Sequence, residues 1–132
     1  IGRVFQIYAR RVGPSPGRIE DVGVVFDLAT HELNIMEHLI GAPIKMMYAE
    51  TEQEIHEYHE DLLLALLKFQ NGTVGGLDIN WLTPKKTREL SIIGERGMFL
   101  LNYLTQELYF VENNYTNGQW EGLVALIGVS EG

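Results

Sequence analysis

A chain of 132 residues holds one hydrophobic core, and a makeup of 45% hydrophobic and 21% charged residues excludes disordered, collagen-like and fibrous classes. The net charge of −8 argues against general binding to nucleic acid or anionic lipid, both of which need a concentrated positive field. With no cysteine, a disulfide framework, a zinc ribbon and a thiol nucleophile are excluded. The longest apolar run, Leu62 to Leu67, is broken by Lys68, far short of the roughly 20 residues of a membrane helix, and a cytoplasmic location is expected. Charge is uneven: Arg3, Arg10, Arg11 and Arg18 all precede the first acid, Glu20, so the total of −8 divides into +4 over residues 1–18 and −12 beyond. This arrangement fits either a local anion site or arginines spread along an exposed strand edge and turn.

Arg3 to Val12 alternates Val4, Gln6, Tyr8 and Arg10 against Phe5, Ile7 and Ala9, which predicts a strand. Gly13-Pro14-Ser15-Pro16-Gly17 predicts a loop, because proline lacks a ladder donor. From Asp21 to Ile40 the apolar residues Val22, Val25, Phe26, Ala29, Leu33, Met36 and Ile40 recur at helical spacing, with Asp21 as N-cap and Gly41 then Pro43 as stop. The β-branched run Val22 to Val25 lowers helix propensity and moves the expected regular start toward Phe26. Ile44 to Thr51 is a predicted strand, followed by a polar connection from Glu52 to Glu60.

Asp61 to Gln70 is rich in good helix formers, but Asn71-Gly72 followed by Thr73-Val74 and Leu77 to Trp81 is a hairpin signal, so strand, turn and strand are expected. Gly75-Gly76 then marks a bulge or a close approach. Further strands are expected at Thr87 to Gly94, Met98 to Leu101 and Glu107 to Val111, and Leu123 to Val129 adds a strand or short helix. The pattern predicts one α+β domain over residues 1–132: a predominantly antiparallel open sheet of about six strands with helices packed on one face.

At 100° per residue, Asp27, His31, Asn34 and His38 fall within about 60° of one another, opposite the apolar stripe. Such a line is either the solvated face of an amphipathic helix or a catalytic pair. In the second case Asp27, one turn before His31, holds one imidazole nitrogen and leaves the other to accept a proton from a substrate hydroxyl. His56-Glu-Tyr-His59-Glu60-Asp61 has an H-x-x-H spacing but no supporting helix pattern, and no metal is expected there. Trp81, Tyr103, Tyr109, Phe110 and Trp120 are read as core or interface rather than a base-stacking platform.

The words around His31 carry more. Asp21-Val-Gly-Val-Val-Phe-Asp27-Leu-Ala-Thr-His31-Glu-Leu-Asn34, then Leu39-Ile-Gly41, resembles the helix in the C-terminal domain of the Gfo/Idh/MocA oxidoreductases. Gly2-Arg-Val resembles that domain's opening strand, Arg11 to Ile19 the loop before its helix, and Phe69-Gln-Asn-Gly72 with Gly76 its central hairpin. Trp81 to Gly97 looks like its next strand pair, and the likeness covers residues 1–112. The Pro-rich loop and Trp81-Leu-Thr-Pro84 look closest to members acting on nucleotide-linked N-acetylhexosamines.

The resemblance implies the substrate-binding half of an enzyme that oxidises a secondary alcohol of a sugar, or reduces the ketone, against NAD or NADP. His31 matches the family's catalytic histidine and Asp27 the aspartate that orients it, while Asn34 replaces a frequent aspartate and is a candidate sugar-hydroxyl contact. Arg11 and Arg18, flanking the Pro-rich loop, are candidates for the pyrophosphate of a nucleotide sugar. In the family a separate N-terminal Rossmann domain supplies the dinucleotide site and a lysine. Here Gly72-Thr-Val-Gly75-Gly76 has the wrong spacing for a G-x-G-x-x-G turn and leads into a strand. The chain alone is therefore expected to bind no cofactor and to be inactive. Its start at Ile1 instead of Met, without a basic-then-apolar leader, suggests a mature product or an excised piece. A homodimer or homotetramer through the open sheet face is implied. The contrasting expectation is a standalone, non-catalytic sugar-binding or oligomerisation module.

Overall fold

The computed structural model describes residues 2–15, 23, 28–55, 58–116 and 119–129. In chain order the elements are β1 Val4–Pro14, α1 Thr30–Ile40, β2 Ile44–Glu52, β3 Leu62–Phe69, β4 Val74–Asn80, β5 Leu82–Gly94, β6 Gly97–Asn102, β7 Glu107–Thr116 and β8 Gln119–Val129. Among the described residues the strands form one eight-stranded sheet in the order β2-β3-β4-β1-β5-β6-β7-β8. β1 runs parallel to β4, and every other neighbouring pair is antiparallel. The α+β reading holds, with eight strands where about six were expected and one helix among the described residues.

Alternation decides which face is core. Ile7 and Ala9 of β1, Leu67 and Phe69 of β3, Leu77 and Ile79 of β4 and Leu90 of β5 are buried together with Met36 of α1 and Ala29 just before it. In β3 the outward residues Leu64 and Leu66 are 55% and 59% exposed although their chemistry matches that of buried Leu63 and Leu67. Pairing on both sides, to β2 and β4, makes this leucine-rich segment a strand despite its helix propensity. The β3–β4 connection spans Gln70 to Thr73 and closes by a bond from the Gly72 N–H to the Phe69 carbonyl at 3.0 Å. Gly75 and Gly76 keep an unbroken register with both neighbours, so no bulge occurs there. The reason for glycine is close approach: a Cβ on Gly76 would sit 2.8 Å from Cδ2 of Tyr8.

Two expected boundaries move. β1 continues through Pro14, which pairs with Leu82 after a register shift beyond Val12; proline is tolerated at such an irregular strand end, where no donor is required. The expected helix from Asp21 to Ile40 is not continuous. Gly23 is buried and non-helical, packed so tightly that an added Cβ would lie 2.2 Å from the Glu60 carboxylate. A π-type turn at Leu28–Ala29 precedes the regular helix, which opens after Ala29 without a side-chain cap. The expected cap Asp21 lies outside the described residues. The stop is as expected: Gly41 adopts φ 72° and its N–H returns to the Glu37 carbonyl at 2.9 Å.

Candidate functional site

β1 and α1 flank the Pro-rich segment in sequence, and their described parts meet on the covered face of the sheet. α1 turns Glu32 and Met36 inward and leaves His31, Asn34 and His38 exposed, three of the four residues of the predicted polar line. Asp27, the proposed partner of His31, lies outside the described residues, as does Arg18.

Arg11 is drawn into this junction. It occupies the same inward phase of β1 as Ile7 and Ala9, and its Nη1 donates to Glu32 Oε1 at 2.7 Å. The Glu32 side chain is 1% exposed and that of Arg11 25%. One hydrogen-bonding atom on each side, Arg11 Nε and Glu32 Oε2, is buried with no hydrogen-bond partner among the described residues. The guanidinium expected to hold phosphate is therefore engaged first by a carboxylate of the helix that carries His31.

Tyr103, in the turn after β6, packs against the core at the same junction. Burial and then the negative charge of Glu32 push its phenol above the usual 10.0, while Arg11 pulls the other way. The backbone N–H of Tyr103 donates to the Arg88 carbonyl at 2.8 Å, and Arg88 stands opposite Arg11 in the β1–β5 register. Arg88 Nη1 donates to the Val12 carbonyl at 3.1 Å. Two arginines thus approach the inward end of β1, one turned to the helix and one to the strand.

Sequence reasoning missed Glu32. The available signal was a pair of misplaced charges of opposite sign: Glu32 falls within the apolar stripe of α1, and Arg11 within the inward phase of β1. It also missed the burial of Asp61, read only as the first residue of the Asp61 to Gln70 strand. Asp61 is 1% exposed, and its two oxygens accept the backbone N–H groups of Glu54 and Ile55 at 2.9 and 2.7 Å. His56 lies outside the described residues, and among the described residues no group of three or more His, Asp or Glu is placed to hold a metal ion.

The opposite face is open. It carries a cavity of about 300 Å³ lined by Tyr8, Arg10, Glu89, Ser91, Leu100 and Tyr109, among others. The Tyr8 hydroxyl donates to Asp78 Oδ2 at 3.3 Å and Arg10 Nε lies 3.2 Å from the same oxygen. Beyond it, Met46, Tyr48, Leu64 and Leu66 form an exposed apolar surface, with Tyr48 opposite Leu66 in the β2–β3 register. No helix among the described residues is long and apolar enough to cross a membrane.

A family model described as the GFO/IDH/MocA C-terminal domain matches residues 1–100. No curated protein matches the sequence. Among solved structures, the chain is similar to UDP-N-acetylglucosamine 3-dehydrogenase GnnA from Acidithiobacillus ferrooxidans, with a TM-score of 0.85 at 20% identity, covering 98% of this chain and 42% of that one. A levoglucosan dehydrogenase in complex with NADH gives a TM-score of 0.78 at 18% identity, covering 97% and 41% of the two chains. The WlbA dehydrogenase from Bordetella pertussis, in complex with NADH and UDP-GlcNAcA, gives 0.68 at 22% identity, covering 76% and 35%. These likenesses establish a shared fold, and the chain spans about two fifths of the length of the first two structures.

Proposed function

Because the chain belongs to the GFO/IDH/MocA C-terminal domain family, we propose that it is the substrate-binding half of a nicotinamide-dependent oxidoreductase acting on a secondary alcohol of a sugar or nucleotide sugar. The observation that carries the reading is the family match over residues 1–100 together with His31 exposed on α1. The sequence holds no G-x-G-x-x-G motif, which fits a dinucleotide site on a separate Rossmann domain and an isolated chain that is inactive. The bound nicotinamide, NAD or NADP, supplies the hydride acceptor.

The chain's own contribution is the proton. The His31 imidazole accepts the hydroxyl proton as the carbinol carbon loses its hydride to the nicotinamide and becomes a ketone, and returns it in the reverse direction. Asp27, one helical turn earlier in sequence, orients the ring and stabilises the imidazolium. Asn34, on the same exposed face, is a sugar-hydroxyl contact. Nucleotide-linked N-acetylhexosamines fit this reading, because two of the similar structures carry UDP-sugar names. In such a substrate the pyrophosphate falls to Arg18, since Arg11 is already paired with Glu32. The exposed apolar face serves assembly as a homodimer or homotetramer.

The test is His31→Ala in the full-length protein. Loss of proton acceptance lowers kcat about 10²- to 10⁴-fold with substrate binding largely kept. The isolated 132-residue chain, titrated with NADH, is expected to show no micromolar binding. An undiminished kcat in the variant defeats the assignment of His31, and tight NADH binding by the isolated chain defeats the division of labour.

A further inference from the structure

Glu32 is the one residue that the inward stripe of α1 does not explain. Ala29, Leu33, Met36 and Ile40 pack toward the core, and Glu32 lies among them at 1% exposure, where a leucine would fill the space without desolvating a charge. Arg11 is the matching exception on β1, following Ile7 and Ala9 in the inward phase. A buried pair of this kind adds little net stability, because desolvating both ions costs about as much as their attraction returns. This pair is also incompletely satisfied, with Arg11 Nε and Glu32 Oε2 lacking partners among the described residues. Stability alone therefore gives a poor account of it.

Orientation gives a better one. Apolar burial has no preferred direction, whereas the 2.7 Å bond from Arg11 Nη1 to Glu32 Oε1 forms only over a narrow range of helix rotation. His31 is the residue next to Glu32, about 100° around the helix, so whatever fixes the azimuth of Glu32 also fixes that of the imidazole. Tyr103 packs against the core close enough to this pair to sense the charges of both Glu32 and Arg11.

We propose that Arg11 and Glu32 are positioning residues, whose buried ion pair sets the rotation of α1 on the sheet and thereby aims His31 at the substrate hydroxyl. The proposal rests on the reading of His31 as proton acceptor and adds the device that directs it.

The experiment compares Arg11→Met/Glu32→Met and Glu32→Gln with the parent in the full-length protein. Removing both charges together avoids stranding either one, so the double variant keeps its Tm. It is expected to hold KM within about twofold while kcat falls about tenfold, a split that general loosening would not produce. Glu32→Gln, which still accepts from Arg11, retains most of kcat. The NMR signal of the His31 ring, assigned by its loss in His31→Gln, shifts or broadens in the double variant without reference to turnover. An unmoved ring signal, or a double variant with the parental kcat, overturns the proposal. A fully active His31→Gln enzyme would instead sink the proton-acceptor reading, and the ring signal would still judge whether the pair sets the helix rotation.

Discussion

Tyr103 shows how one side chain registers a buried charge. Its phenol is raised by burial first and by Glu32 second, so the folded state holds the phenolic proton more tightly than the unfolded chain does. The resulting stabilisation is complete below the unfolded value of 10.0 and is lost as pH rises through the folded one. Thermal melts between pH 9 and about 11.5 should accordingly show a shallower alkaline fall in Tm for Tyr103→Phe than for the parent. Parallel curves would mean that Tyr103 titrates alike in both states. At this scale the sequence was half legible. His31 and Asn34 reach the solvent as helical spacing requires, because exposure of a helical face follows from period alone. Glu32 and Asp61 were hidden because burial of an acid depends on a partner distant in sequence: Arg11, 21 positions from Glu32, or the backbone of a loop that folds back on Asp61.

Among the elements, β3 and β4 are the pair on which local propensity and tertiary context disagree. Six consecutive leucine or alanine residues favour a helix, yet the strand forms, since Asn71-Gly72 turns the chain and β2 and β4 supply ladders on both sides. The turn was readable because its residue types are tied to backbone geometry. The extent of β1 and the start of α1 were not, since Pro14 pairs with Leu82 and Gly23 packs against Glu60, both distant in sequence. Gly76 supplies a direct check on the close approach of β4 to β1. Gly76→Ala would place a methyl 2.8 Å from the Tyr8 ring, and the expected cost is about 1–3 kcal/mol in denaturant unfolding. A neutral change would show that the ring yields freely.

For the whole molecule, the two faces of the sheet have different duties. One is closed by α1 over the core, and the other leaves Met46, Tyr48, Leu64 and Leu66 exposed at 62%, 65%, 55% and 59%. An apolar surface of this kind on a folded domain calls for a partner, and a second copy is the partner proposed. Leu66→Lys should therefore lower the mass of the full-length protein in light scattering at tens of micromolar while leaving Tm of the subunit little changed. A parent protein that is already a monomer would count against the assembly. Fold class was legible at this scale because strand and helix periods survive in the sequence. The strand order was not, because nothing local states that β1 lies between β4 and β5.

That central placement also governs how the domain comes to exist. Gln6 must meet Val74 on one side and Ile93 on the other, so β1, the first of the eight strands of this sheet, has no ladder partner until β4, more than sixty residues further along, has been synthesised. Pairings this remote in sequence carry a high loop-closure cost and slow the folding step that captures them. Until then both edges of β1 are open to pairing with foreign strands. The strand that ends as the middle of the sheet begins as its most vulnerable segment, and assembly waits on β4 and β5 to enclose it.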